Sequence, residues 1–148
     1  MVRRIDEDFS NGMTVRILYK KWSVANKQQY DPIARFWNIV EQYVSCTKLY
    51  GFGYGWNNDE FMYGIIFRSG LTQEVIDAVK KEFPDIKYND TFSVPAKSSY
   101  DRTYTGKSEH IQAIYDKIWS KGPLSCELEE FEPNGKCRIY VIYKSKHK

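Results

Sequence analysis

Apolar and polar residues alternate with different periods along the chain, and each period predicts one kind of element. Residues 1–11 are charged and polar without a period, so we expect a loose leader there. A period of two over 13–19 predicts the first strand, and the mostly polar stretch 23–29 predicts a loop. The apolar positions of that strand are Val15, Ile17 and Tyr19.

Three helices are predicted from apolar stripes of period 3.6. Asp31 and Pro32 mark the start of the first, because aspartate caps a helix N-terminus and proline fits the first helical position. The second is predicted over 72–83, and the third begins near Ser108 and is stopped by a Gly-Pro pair. The stripe of the first helix comprises Ile33, Phe36, Trp37, Val40, Tyr43 and Val44, and that of the third comprises Ile111, Ile114, Tyr115, Ile118 and Trp119.

Two hairpins are predicted, one after the first helix and one after the third. Their turns are expected at 57–59, which is rich in asparagine, and at 132–135, which contains proline, asparagine and glycine in that order. A further strand is predicted within 91–105. The hairpin strands are predicted over 49–56, 60–67, 124–131 and 136–144.

The two halves of the chain show a weak internal repeat of a strand, a helix and a hairpin. In each half the helix is followed by Ser-Cys and then by a strand. The two dipeptides are Ser45-Cys46 and Ser125-Cys126. This pattern predicts that both halves share one strand-helix-strand-strand unit.

The length of 148 residues fits one domain, so we predict a single α+β domain over 1–148. Its first strand-helix-strand-strand repeat spans about 13–67 and its second about 91–144. A connector helix over about 72–83 joins them.

Composition and charge are typical of a folded domain, with 42% hydrophobic and 28% charged residues. The net charge of +3 comes from interleaved charges of both signs, and the basic tail 144–148 is expected to be a solubilising end. No motif that reads nucleic acid and no apolar run long enough for a membrane occurs. We therefore expect a cytoplasmic protein that binds neither nucleic acid nor membrane directly.

Aromatic residues are unusually frequent, since 12 Tyr, 8 Phe and 4 Trp make up 16% of the chain. Any single ring is better explained as part of the core, because aromatic side chains dominate core packing. Taken together, the excess indicates that some rings face a flat organic ligand.

The sequence contains no motif that indicates a metal site, a bound cofactor or a catalytic nucleophile. Cys46, Cys126 and Cys137 form no C-x-x-C pair, which predicts free and mostly buried thiols. His110 and His147 are the only histidines, too few and too far apart to predict a metal site or a catalytic triad. We therefore predict no cofactor, no metal and no catalytic residue.

The glycines of Gly51-Phe52-Gly53-Tyr54-Gly55 resemble a phosphate loop only in composition, because a turn and a strand follow rather than a helix. We expect these glycines to bend the strand or to leave room beside neighbouring aromatic side chains.

Three glutamates stand in the strand predicted over 124–131, where glutamate is disfavoured. Alternation places Glu127 and Glu129 on one face with Phe131, and Glu130 on the other. A solvated strand face is the simplest explanation, since edge strands often carry charge. A binding role is the alternative.

Several stretches resemble the GyrI-like family, which includes effector-binding domains of some AraC-type and MerR-type regulators. Ile33-Ala34-Arg35-Phe36-Trp37 resembles the start of the family's first helix, and Phe61-Met62-Tyr63-Gly64-Ile65 resembles its f-x-Y-x-G strand. The segment 94–106, with Pro95, resembles its i-P-a-g-x-Y segment. Leu128-Glu129-Glu130-Phe131 resembles its F-E-x-Y motif, and Ile139-Tyr140-Val141 resembles its I-Y-i-P ending. The order covers residues 13–144. Three departures are a glycine one place early at Gly64, Ile142 in place of the usual proline, and the connector helix.

The resemblance implies two units related by a pseudo-twofold axis, with antiparallel sheets, helices packed on one side and a groove between the halves. In that family a glutamate and aromatic rings in the groove receive lipophilic cations. By motif, the glutamate corresponds to Glu129 and one aromatic residue to Tyr63. By position, the further ligand-binding candidates are Trp37, Tyr54, Tyr104, Trp119, Phe131 and Tyr140.

We therefore expect a stand-alone domain that binds lipophilic, cationic aromatic compounds, in multidrug-type effector sensing or sequestration, rather than an enzyme. A carboxylate walled by rings is poorly solvated, so a delocalised cation restores a partner to it. Two alternatives stay open. Some relatives in the family hydrolyse cyclopropane-bearing electrophiles, for which a desolvated Glu129 would assist the attack of water. A protein-interaction module, like the gyrase-inhibiting members, would use surface charge instead.

Overall fold

The computed structural model describes residues 13–23, 30–43, 49–57, 59–67, 71–132 and 134–144. Over these ranges the protein has an α+β fold with one seven-stranded antiparallel sheet and three α-helices. The strands are β1 (Met13–Ser23), β2 (Leu49–Tyr54), β3 (Glu60–Phe67), β4 (Lys87–Val94), β5 (Arg102–Lys107), β6 (Leu124–Phe131) and β7 (Lys136–Tyr143). The helices are α1 (Tyr30–Glu41), α2 (Gln73–Glu82) and α3 (Ile111–Trp119).

The sheet has the strand order β4-β1-β3-β2-β6-β7-β5, and each neighbouring pair is antiparallel. At its centre β2 pairs with β6, from Leu49 opposite Phe131 to Tyr54 opposite Cys126. β3, β1 and β4 lie on one side of this pair, and β7 and β5 lie on the other. The central pairing of β2 with β6 therefore joins a segment early in the chain to one near its end.

All three helices pack on one face of the sheet, which we call the helical face. Phe36 of α1 and Val79 of α2 are fully buried against β1 and β3. Ile118 of α3 is fully buried against β6 and β7. Burying such a side chain contributes about 1.5–3 kcal/mol, so these contacts fix the helices on either side of the central strands.

The opposite face, which we call the linker face, carries a second aromatic cluster. Phe52 and Tyr54 pack against Phe92 with ring centroids 5.6 and 5.3 Å away. The segment 95–101 joins β4 at one edge to β5 at the other, so it must cross the sheet. It does so over this face, where Tyr100 belongs to the same cluster.

The first helix begins and ends earlier than its stripe predicts. It starts at Tyr30, one residue before the predicted cap, and ends at Glu41. The amide of Tyr43 donates to the carbonyl of Val40 at 3.0 Å, an i to i−3 bond that tightens the last turn. Tyr43 therefore leaves the stripe and is 41% exposed, while Val44 lies outside the described residues.

Two strands occupy the region where one was predicted within 91–105. β4 forms a sheet edge, where Tyr88 is exposed, so its hydrophobic pattern is weak. β1 is also longer than the predicted 13–19, because Trp22 is buried at its far end and the pairing with β3 continues to Ser23.

The remaining predicted elements agree closely with the structure. β3 and β6 have the predicted limits, and α2 is capped at Thr72, whose hydroxyl accepts from the amide of Val75 at 3.3 Å. Cys126 and Cys137 are free and buried, as predicted. The predicted leader 1–11, most of the loop 23–29, Ser45-Cys46 and residues 145–148 lie outside the described residues. None of the described helices is long and apolar enough to cross a membrane.

Candidate functional site

Two glycines of β2 form the floor of the site on the helical face. Gly51 pairs with Glu129 and Gly53 pairs with Glu127 across the central strands. A Cβ atom on Gly51 would lie 2.5 Å from Oε1 of Glu129, and one on Gly53 would lie 1.9 Å from Oε1 of Glu127. Both carboxylates thus extend over β2 into space that only glycine leaves open. The expectation of room beside aromatic side chains is met at Gly51 by Tyr63, whereas at Gly53 the space is taken by the carboxylate of Glu127.

Glu129 is held by tyrosines from both halves of the chain. It is 4% exposed, and its two oxygens accept hydrogen bonds from the hydroxyls of Tyr63 on β3 and Tyr115 on α3. The indole Nε1 of Trp37 on α1 donates in turn to the Tyr63 hydroxyl at 2.8 Å. Side chains from β3, β6, α1 and α3 therefore converge around the Glu129 carboxylate.

Glu127 lies beside a stack of large rings. It is 1% exposed and accepts a hydrogen bond from Nε1 of Trp56 at 3.0 Å. Trp56 stacks on Phe61 with centroids 3.9 Å apart, and the edge of Trp119 meets it at 4.6 Å. We call Glu127, Glu129, their three donors Tyr63, Tyr115 and Trp56, and Trp37, which donates to Tyr63, the carboxylate cluster.

The two carboxyl groups of this cluster are buried, and no cation among the described residues pairs with them. Within the described ranges no Lys, Arg or His forms an ion pair with Glu127 or Glu129. Desolvation raises the pKa of both carboxyls above the ordinary value of 4.5, and the charge of Glu129 raises the pKa of Glu127 further. At Glu129 the hydroxyls of Tyr115 and Tyr63 act in the opposite direction, because they stabilise the ionised form.

These pKa shifts predict how stability depends on pH. A carboxyl whose pKa is raised on folding binds more protons in the folded than in the unfolded state, so its contribution is lost as pH rises from about 4.5 through the raised value. Glu127→Gln should therefore flatten the fall of the unfolding free energy between that pH and neutrality, and Glu129→Gln should flatten it less. Urea unfolding at a series of pH values measures this, and an unchanged slope in Glu127→Gln would contradict it.

The structure brings five of the eight predicted ligand-binding residues to this region. Glu129, Tyr63 and Trp37 belong to the carboxylate cluster. Phe131 packs edge-on against Trp37 at 5.1 Å, and Trp119 packs against Trp56.

Three predicted residues lie elsewhere. Tyr104 is on the helical face but packs in the α3 core, where its hydroxyl is 2.9 Å from that of Tyr143. Tyr54 and Tyr140 belong to the cluster on the linker face, because strand alternation turns them away from Glu129. The structure does not bring these two rings to the glutamate.

The expectation of a solvated glutamate face is wrong. β6 is a central strand between β2 and β7, and Glu127, Glu129 and Glu130 are at most 4% exposed. The predicted alternation is confirmed, because Glu130 lies on the linker face, where Arg138 is 3.5 Å away.

Sequence reasoning missed Glu127 as a second buried carboxylate, and it missed Tyr115 and Trp56 as donors. Tyr115 lies on the apolar stripe of its helix, and no residue near it in the sequence indicates that its hydroxyl reaches a glutamate. Glu127 had a signal, since it shares a face with Glu129 and each is paired with a glycine of β2.

Metal binding and known relatives give no separate indication of function. Over the part of the chain that is described, no group of three or more His, Cys, Asp or Glu residues is arranged to hold a metal ion. No family model matches the chain, and a search of curated proteins found no match. The geometry of the described residues therefore carries the functional inference.

Proposed function

We propose that this protein is a small-molecule-binding domain that receives a lipophilic, cationic aromatic compound at the carboxylate cluster. Its role would be to sense or to sequester such compounds. The observation that carries the proposal is Glu129, a carboxylate buried among rings and held by neutral hydrogen-bond donors alone among the described residues.

The chemistry of the cluster favours a cation over a neutral molecule. An ionised carboxylate away from water costs several kcal/mol unless a positive charge accompanies it. A cation within reach of the surrounding rings gains a further ~0.5–2 kcal/mol from each ring face that it meets. A neutral ligand of the same shape gains only stacking and burial.

Entry of a ligand requires that rings covering the glutamates move. Trp119 is 36% exposed and lies at the outer edge of the stack on Trp56, so it is the ring with the least packing to lose. Trp37 and Phe131 close the other end, and both are half-buried. Three of the four tryptophans thus surround the site, while Trp22 is buried in the core and is not part of it.

Intrinsic tryptophan fluorescence is therefore a suitable reporter of binding. We expect para-methylbenzylamine, a cation at neutral pH, to change the emission and to bind at least about tenfold more tightly than para-methylbenzyl alcohol, its neutral isostere. The reason is that only the amine neutralises a buried carboxylate. Equal affinity for the amine and the alcohol would contradict the proposal.

We also propose that the chain belongs to the GyrI-like family and is built from two tandem repeats. Two features support it: β1, β3 and β2 follow the same spatial order as β5, β7 and β6, and the spacing of the core-packed residues Phe36, Trp37 and Val40 on α1 matches that of Ile114, Tyr115 and Ile118 on α3. β4 is then an addition from the connector region. The hydrolase and protein-interaction alternatives, and a cytoplasmic location, stay predictions.

A further inference from the structure

Glu127 differs from Glu129 in how its oxygens are occupied. Both oxygens of Glu129 accept hydrogen bonds from tyrosine hydroxyls. Trp56 donates to Oε2 of Glu127, but no described residue donates to its Oε1. Glu127 is only 1% exposed, yet Oε1 is not one of the fully enclosed polar atoms that lack a partner among the described residues, so this acceptor keeps a small opening through which a ligand donor could reach it.

The surroundings of that oxygen suit a flat ligand with a hydrogen-bond donor. Oε1 lies over the backbone of Gly53, where β2 contributes no side chain that would block a donor from it. Trp56 and its stacking partner Phe61 form a wall beside it. The ammonium of Lys144 donates to the carbonyl oxygen of Trp56 at 2.8 Å and not to a carboxylate of the cluster.

The distance between the two carboxylates limits which ligands can pair with both. Residues two apart on one face of a strand are ~7 Å from each other. Glu127 and Glu129 therefore present two acidic groups at that spacing, both over glycines of the same neighbouring strand.

We propose that the site takes flat dications whose two positive groups are ~7 Å apart, one group facing Glu127 and the other facing Glu129. This inference rests on the proposed function of the carboxylate cluster. It assigns to Glu127 the selection of doubly charged over singly charged ligands.

Charge balance in the buried cluster explains the selection. A monocation neutralises one carboxylate, and the other stays protonated because a second bare charge would be buried beside it. A dication lets both ionise, so one more carboxyl proton passes to the buffer. The other titratable groups that face the pair are Tyr63, Tyr115 and Cys137, and burial keeps them neutral, with the pKa of Cys137 raised to about 11.

The test compares para-xylylenediamine, whose ammonium groups lie across one benzene ring, with para-methylbenzylamine. Calorimetric titration in buffers of different ionisation enthalpy, at a pH between 4.5 and neutrality, counts the protons released. We expect the diamine to bind at least about tenfold more tightly and to release more protons than the monoamine. In Glu127→Gln both differences should largely disappear, whereas Glu130→Gln, on the opposite face of the same strand, should keep them.

The wild-type protein alone decides the outcome if Glu127→Gln does not fold. Equal affinity and equal proton release for the two amines would overturn the dication proposal while leaving the cation-binding function intact. If neither amine binds the folded wild-type protein, the proposed function fails, and the dication proposal fails with it.

Discussion

Glu129→Gln should weaken the binding of para-methylbenzylamine roughly 10- to 100-fold, which corresponds to the ~1.5–3 kcal/mol of a hydrogen bond to a charged group. The amide keeps the size of the carboxylate, and its oxygen still accepts from Tyr63 or Tyr115. What it loses is the negative charge that the ammonium neutralises. Fluorescence titration of the wild-type and variant proteins at neutral pH measures the difference.

Glu130→Gln is the matched control for that experiment. Glu130 is 1% exposed on the same strand, but it faces the linker side near Arg138. We expect its substitution to leave amine affinity within about twofold of wild type. Equal losses in the two variants would mean that the effect comes from altered folding, and a wild-type affinity in Glu129→Gln would contradict the role of that carboxylate.

Gly64→Ala should destabilise the protein by about 3 kcal/mol, the upper part of the range for overpacking a core. Gly64 lies in β3 opposite Tyr19 of β1. A Cβ atom there would come within 2.4 Å of the backbone carbonyl oxygen of Leu18 and 2.6 Å of the Tyr19 Cβ. Backbone atoms in a paired strand have little freedom to shift, so the two strands must separate locally.

Gly135→Ala provides the comparison for this loss. Gly135 has a positive φ of 83° in the turn before β7, and among the described residues no atom beyond its two chain neighbours lies within 4 Å of an added Cβ. Alanine there should cost only ~1–2 kcal/mol of backbone strain. Urea unfolding of both variants gives the two values. A Gly64→Ala protein as stable as Gly135→Ala would show that the contact between β1 and β3 is looser than described.

Local pattern predicted most elements because their signals lie within a few residues. The limits of β3 and β6 followed from alternation between turn residues, and α2 followed from its apolar positions Val75, Ile76 and Val79 and from Pro84 after its end. β4 had no such signal, because an edge strand exposes most of its side chains and its hydrophobic period is weak.

The candidate site depended on contacts that are distant in sequence. Glu129 could be selected by its motif resemblance, but its partners Tyr63 and Tyr115 come from elements 66 and 14 residues away. Which face Tyr54 and Tyr140 occupy follows only once the register of β2, β6 and β7 is known. Position in the chain therefore grouped Tyr54 and Tyr140 with Glu129, although they lie on opposite faces of the sheet.

The relation between glycine and glutamate could have been inferred earlier. Gly51 and Gly53 have the same spacing of two as Glu127 and Glu129, which is what two facing strands require if each carboxylate lies over a glycine. Recognising that the two strands pair would have identified Glu127 as the second member of the site.

A crystal structure of the protein with bound para-methylbenzylamine tests the central claim most directly. We expect the ammonium nitrogen within about 4 Å of a carboxylate oxygen of Glu129 or Glu127 and the benzene ring against Trp56, Trp119 or Trp37. Trp119 should be displaced from its edge-on contact with Trp56. An amine bound on the linker face, against Tyr54 and Tyr140 with the carboxylate cluster unchanged, would contradict the account.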